Sequence, residues 1–167
     1  WWDACVEAIR GVLTDAGAGG EQVRGVSLSG QMHGLVILDA DCEVIRPSLI
    51  WCDQRSQPQV DAINAKVGKE RVLECIANPV LTGFTLPKLL WVRDNEPAAY
   101  ERVRHLLLPK DYVRLRMSGS LATDMCDASG ALLLDCARRQ WSPEIAAACR
   151  IPLSLLPQVL EGSGVAG

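Results

Sequence analysis

The sequence predicts an α/β domain, and three observations carry that prediction. Short apolar runs with strand character alternate with segments of helical period. Proline and glycine fall where helices start and stop. Apolar residues make up 49% and charged residues 22% of the 167-residue chain, the balance of a folded domain rather than a disordered one.

The elements follow in order. Trp2, Cys5, Val6, Ile9, Val12 and Leu13 recur at helical spacing, and "GAGG" closes that helix near Gly17. No capping residue precedes the run, and no initiator methionine or signal-peptide pattern opens the chain. "EGSGVAG" at the other end carries no terminating element, so the chain is expected to be truncated at both ends. Val26 and Leu28 alternate in "VRGVSLSG" as a strand that tolerates Gly25. Leu35 to Asp39 reads as a second strand, "DADCE" as a polar turn, and "VIRP" as a third strand limited by Pro47. Antiparallel pairing is expected over Leu35 to Ile45, with the run to Trp51 extending the sheet.

Ser56 is the N-cap expected for a helix that carries Val60, Ile63 and Val67 and ends at Gly68. A short helix follows from Lys69 to Ile76, then "NPVLTG" as loop. Pro87 sits in the first turn of a helix with Leu89, Leu90 and Val92, stopped at Asn95-Glu96-Pro97. "HLLL" reads as a strand leading into a helix from Pro109 to Met117. "LATDMCDASGALLLD" reads as a polar loop and a short strand, and Ser142-Pro143-Glu144 opens a helix ending near Cys149.

Composition removes several function classes. The net charge is −3 and no basic run exists to neutralise a phosphate backbone, so nucleic acid is not an expected partner. Apolar runs such as Leu35 to Leu38 are far too short to span a bilayer. The seven cysteines show no C-x-x-C spacing and have only two histidines beside them, which disfavours both a zinc site and a secreted disulfide framework. Mostly buried or inert thiols in a reducing, cytoplasmic setting are expected.

Three stretches carry candidate chemistry. In "SGQMHG", Gly30 and Gly34 permit an open backbone around His33 at a strand end, where α/β folds place ligands. The plain alternative is a hydrogen-bonded histidine in a tight turn. In "WCDQRS", Trp51 could stack on sugar C–H groups while Asp53 and Arg55 hydrogen-bond hydroxyls. A core tryptophan followed by a local ion pair would look the same. In "TDMCDAS", Asp124 and Asp127 could serve as a general base or hold a metal, but capping and turn duty is the better reading. The glycine-rich stretches have neither the Walker nor the dinucleotide spacing.

Taken together, "GVSLSGQMHGLVILD", "RPSLIWCDQR", "GFTLPKLLWVRDN" and "ATDMCDASGALLLD" resemble the N-terminal domain of the FGGY carbohydrate kinases. The likeness runs in order along essentially the whole chain, and "SGQMHG" is similar to the xylulokinase branch rather than to the glycerol kinases. It implies that residues 1–167 are part of the sugar-binding N-terminal domain of an actin-like, ribonuclease-H-like fold. It further implies ATP- and Mg²⁺-dependent phosphorylation of D-xylulose at its 5-hydroxyl by the whole protein, with a homodimer compatible. The family's Met-His sugar contact falls on Met32 and His33, and Trp51 with Asp53 belongs to the same cleft as secondary candidates.

The chain departs from the family pattern at Cys52 (usually Asn), at Cys126 (usually Ser) and at Cys42, in a turn where Gly is common. The family's Asp-x-Gly-Thr hairpin is expected before Trp1, and its catalytic aspartate after Gly167. No base is therefore carried onto Asp124 or Asp127, and residues 1–167 alone are expected to be inactive. Two alternatives stay open: a relative acting on another sugar or polyol, and a non-catalytic sugar-binding module.

Overall fold

A computed structural model describes residues 1–167. Helices and short strands alternate as expected: α1 Trp2–Asp15, β1 Val36–Leu38, α2 Gln57–Val67, α3 Lys69–Ile76, α4 Thr85–Asn95, α5 Pro97–Glu101, β2 His105–Leu107, α6 Pro109–Ser118, β3 Ala122–Asp124, α7 Met125–Ser129, β4 Leu134–Asp135, β5 Gln140–Trp141, α8 Pro143–Cys149 and β6 Gln158–Leu160. No helix is long and apolar enough to cross a membrane.

The strands form three two-stranded sheets. β1 pairs antiparallel with β2 in the register Val36–Leu107, Ile37–Leu106, Leu38–His105. β3 pairs parallel with β6, and β4 antiparallel with β5. The hairpin expected after β1 is reduced to bridges between Leu38 and Val44 and between Leu35 and Leu49. In its turn Cys42 takes φ 61, the left-handed conformation that glycine adopts most readily.

Alternation along β1 explains why the whole strand is buried. Leu35 and Ile37 enter the main core, with Leu86 and Leu89 of α4, Leu106, Leu132 and Ile145. Val36 and Leu38 enter a smaller cluster with Leu107 and Leu115. β1 is thus apolar on both faces, which is why it reads as a continuous run rather than an alternating one.

Several elements differ from the sequence expectation. Val26 and Leu28 lie outside any strand and have no ladder partner, and Val26 is 61% exposed. α1 forms where expected but buries no residue. The stretch expected as loop holds β3 and α7, because Asp124 accepts from the main-chain N–H groups of Cys126 and Asp127 and starts a helical turn. All seven cysteines are free, but only Cys75 and Cys149 are buried; Cys52 and Cys126 are exposed. The α2, α3 and α8 boundaries fall where glycine, proline and Ser142 place them, and Ser142 Oγ accepts from Ile145 N at 3.3 Å.

Candidate functional site

His33 leaves the 29–34 turn with φ 70, a conformation that L residues other than glycine rarely adopt. The strain sits on the histidine itself, not on the glycines flanking it. Gly34 is instead required by close approach: a Cβ there would lie 2.5 Å from Pro109 Cγ at the start of α6. This contact seats the turn on α6.

Two donors hold the His33 carbonyl. Lys88 Nζ donates to it at 2.8 Å, and Thr85 Oγ1 at 3.2 Å, both from the first turns of α4. The imidazole stacks on Phe84, the sole phenylalanine, with ring centroids 4.3 Å apart and planes at 27°. Gly130 also closes on the ring: a Cβ there would fall 2.4 Å from His33 Cδ2 and 2.7 Å from Nε2. The ring therefore sits in a slot formed with Phe84 and Gly130, close against both. Partial burial, with the Lys88 ammonium nearby, lowers the His33 pKa from its ordinary value. A neutral imidazole offers one donor and one acceptor, which suits a sugar hydroxyl. Met32, its neighbour in the turn, is half-buried.

Lys88 stands in the segment "GFTLPKLLWVRDN" that carries the family resemblance, but the sequence gives it no role at the site. It is fully buried and reaches the carbonyls of His33 and Gly83. Burial lowers its pKa to about 8, against the opposing pull of Asp53 and Cys52. The run Thr85 to Leu90 is buried throughout, so no polar stripe marks the lysine in the sequence.

The Trp51–Asp53 candidates resolve in part. Trp51 is 57% exposed, which removes the core-tryptophan alternative. Its carbonyl lies against Gly83, 3.0 Å from where a Cβ would be. Asp53 is taken up by Arg55, whose Nε lies 2.9 Å from both carboxylate oxygens and whose Nη2 lies 2.9 Å from Oδ2. Burial pulls the Asp53 pKa upward, but the Arg55 hydrogen bonds and charge prevail and hold it below the ordinary value. The local ion pair expected as an alternative is therefore present.

Asp124, Cys126 and Asp127 place ligand-type atoms within 4.8 Å of one another, yet the centre of the group is already cationic. Lys110 Nζ lies 2.6 Å from Asp124 Oδ2, 3.3 Å from Asp127 Oδ2 and 2.8 Å from Asp111 Oδ1. Desolvation works against its charge, but the three carboxylates overcome it and push the Lys110 pKa up to about 12. A thiol is also a poor ligand for a hard cation such as Mg²⁺. These residues do not fit a Mg²⁺ site, and their capping and ion-pair roles account for them. A cavity of about 670 Å³ opens beside Lys110, between the 24–28 segment and the last residues, but Met32, His33, Trp51 and Asp53 do not line it.

Comparison with known proteins identifies the family and the fold. Residues 1–167 match the FGGY family of carbohydrate kinases, N-terminal domain. The chain is 42% identical over 167 residues to the xylulose kinase of Klebsiella pneumoniae, covering 100% of this chain and 34% of that protein. It is 40% identical over 168 residues to the xylulose kinase of Lactococcus lactis subsp. lactis (strain IL1403), covering 100% and 33%. A xyloylose kinase from Brucella ovis superposes with a TM-score of 0.94 at 39% identity, over 100% of this chain and 34% of that one. The chain thus spans about a third of the length of the curated relatives it matches. Its mixed fold of helices and strands is that of the actin-like sugar kinase N-terminal domain, and the chain belongs to the FGGY family of carbohydrate kinases.

Proposed function

We propose that residues 1–167 form the sugar-holding side of a kinase that transfers the γ-phosphoryl group of ATP to the 5-hydroxyl of D-xylulose. The observation that carries this reading is the His33 ring, stacked on Phe84 and close against Gly130, in a turn whose carbonyl is pinned from α4. The names of the relatives, xylulose kinases from several bacteria, supply the substrate class. Met32 and His33 contact the ketose, and Trp51 offers an exposed ring at the same margin of the domain.

The chain's own residues bind and orient. Asp53 is engaged by Arg55, and Asp124 and Asp127 by Lys110, so none is a free base for the sugar hydroxyl. Magnesium, when bound with ATP, neutralises charge on the transferring phosphoryl group; the residues described above do not hold it. The enzyme works in the cytoplasm, where ATP and the ketose meet.

The test is a sugar panel assayed with ATP on the full-length protein. D-xylulose should be turned over in preference to glycerol, L-ribulose and gluconate. Equal rates on all four would overturn the substrate assignment, and no sugar-dependent turnover would favour a non-catalytic module.

A further inference from the structure

We infer that Lys88 is a positioning residue for the sugar-contacting histidine: it holds the His33 main chain in the left-handed conformation that seats the imidazole in its slot. This rests on the assignment of His33 to the ketose.

A lysine is almost never fully buried without an anionic partner, because its head group normally reaches water along its own stem. Lys88 is 0% exposed. No carboxylate lies within ion-pair distance; its Nζ donates instead to two main-chain carbonyls, those of His33 and Gly83. A leucine or methionine would fill this core position without the cost of burying a charge. What a leucine cannot do is hold two carbonyls from segments 55 and 5 residues away in sequence.

The consequence is local to the sugar site. His33 at φ 70 is a strained conformation that persists only where surrounding contacts determine it. Lys88 and Thr85 supply those contacts at the carbonyl, and Phe84 supplies them at the ring. Through Gly83 the same ammonium reaches the backbone beside Trp51, so one side chain ties the 29–34 turn, the start of α4 and the 51–53 turn together. The charged and titratable groups facing it are His33, Asp53 and Cys52. The ammonium repels an imidazolium, which favours the neutral ring that can both donate and accept.

The experiment uses the full-length kinase with Lys88→Met and Thr85→Val, and His33→Ala as reference. Lys88→Met should raise KM for the ketose about tenfold and Thr85→Val about threefold, the scale of one charged and one neutral hydrogen bond. KM for ATP should stay within about twofold of wild type. The acid limb of kcat/KM for the ketose should move to higher pH in Lys88→Met and stay in place in Thr85→Val. A folded Lys88→Met protein with wild-type ketose KM and an unmoved acid limb overturns the inference, since a merely structural lysine would change only stability. If Lys88→Met does not fold, a wild-type ketose KM in Thr85→Val overturns it. A raised KM in His33→Ala beside an unaffected Lys88→Met refutes this inference alone, whereas an unchanged His33→Ala removes the sugar assignment and the role of Lys88 with it.

Discussion

Gly130→Ala separates the His33 slot from the stability of the domain. Gly130 sits at the end of α7 with φ −74 and ψ −8, a conformation alanine adopts freely, so the backbone has no reason to resist. Replacing glycine at such a site stabilises by about 0.4–1 kcal/mol through the unfolded chain. The new methyl, however, falls 2.4 Å from His33 Cδ2 and 2.7 Å from Nε2, and a Cβ cannot stay that close. Either the ring leaves its rotamer, at about 0.5–1.5 kcal/mol, or the surroundings shift, at about 1–3 kcal/mol. The two effects oppose one another, so urea unfolding should show a net change of no more than about 2 kcal/mol. Displacement of the imidazole from its stack on Phe84 should raise KM for D-xylulose in the full-length kinase by about tenfold and leave KM for ATP unchanged. In the Gly130→Ala/His33→Ala pair the clash is gone, so the alanine at 130 should add nothing further to the effect of His33→Ala on ketose KM. A Gly130→Ala enzyme with wild-type ketose KM, or a double variant showing the full sum of the two single effects, would refute the slot.

Four other outcomes follow from the same structure. Lys110→Met leaves Asp111, Asp124 and Asp127 without their shared cation and should cost about 2–4 kcal/mol in urea unfolding; a loss below about 0.5 kcal/mol would mean the cluster is solvated. Burial raises the Asp124 carboxyl, but Lys110 and the capped N–H groups lower it further, so its stabilisation is present above the ordinary carboxylate pKa and is lost as pH falls through the lower folded value. Asp127, pushed upward by burial, opposes this, and stability should decline only modestly below pH ~4 in wild type and hardly at all in Lys110→Met. Because the Lys110 ammonium occupies the carboxylate cluster, millimolar Mg²⁺ or a chelator, without nucleotide, should leave Tm unchanged; a rise with Mg²⁺ would place a cation there. Ser142→Ala removes the N-cap of α8 and should cost about 1 kcal/mol, read as a drop in Tm; no drop would mean that the cap is not formed.

Local chemistry was legible where it is decided locally. Gly68 ends α2, proline opens α6 and Ser142 caps α8, because each residue fixes its own backbone or satisfies its own neighbours. Strand partners were less legible. Leu35 to Asp39 reads as a strand that pairs onward into "VIRP", yet the longer partner of β1 is β2, some seventy residues away, and only tertiary packing supplies it. Val26 and Leu28 alternate as a strand would but meet no neighbouring strand, and alternation without a partner makes no strand.

The candidate site divides along the same line. His33 could be singled out as a rare residue type in a glycine-flanked turn at a strand end. Lys88 could be picked out only as part of the segment that resembles the family, and Phe84, Thr85 and Gly130 not at all, because their roles lie in two carbonyls and one ring brought together from the 29–34 turn, α4 and the end of α7. A lysine in a helix that also carries Arg93 and Asp94 looks like a solvated residue until its acceptors are in place. The paired aspartates erred in the other direction for a reader seeking a base: at three-residue spacing they look catalytic, and the structure gives them a lysine instead.

The most direct test of the sugar-holding turn is calorimetric titration of D-xylulose into the full-length protein and its His33→Ala variant. The account predicts a Kd at least about tenfold weaker in the variant, with Tm within about 2 °C of wild type. Equal Kd values in the two proteins would contradict it.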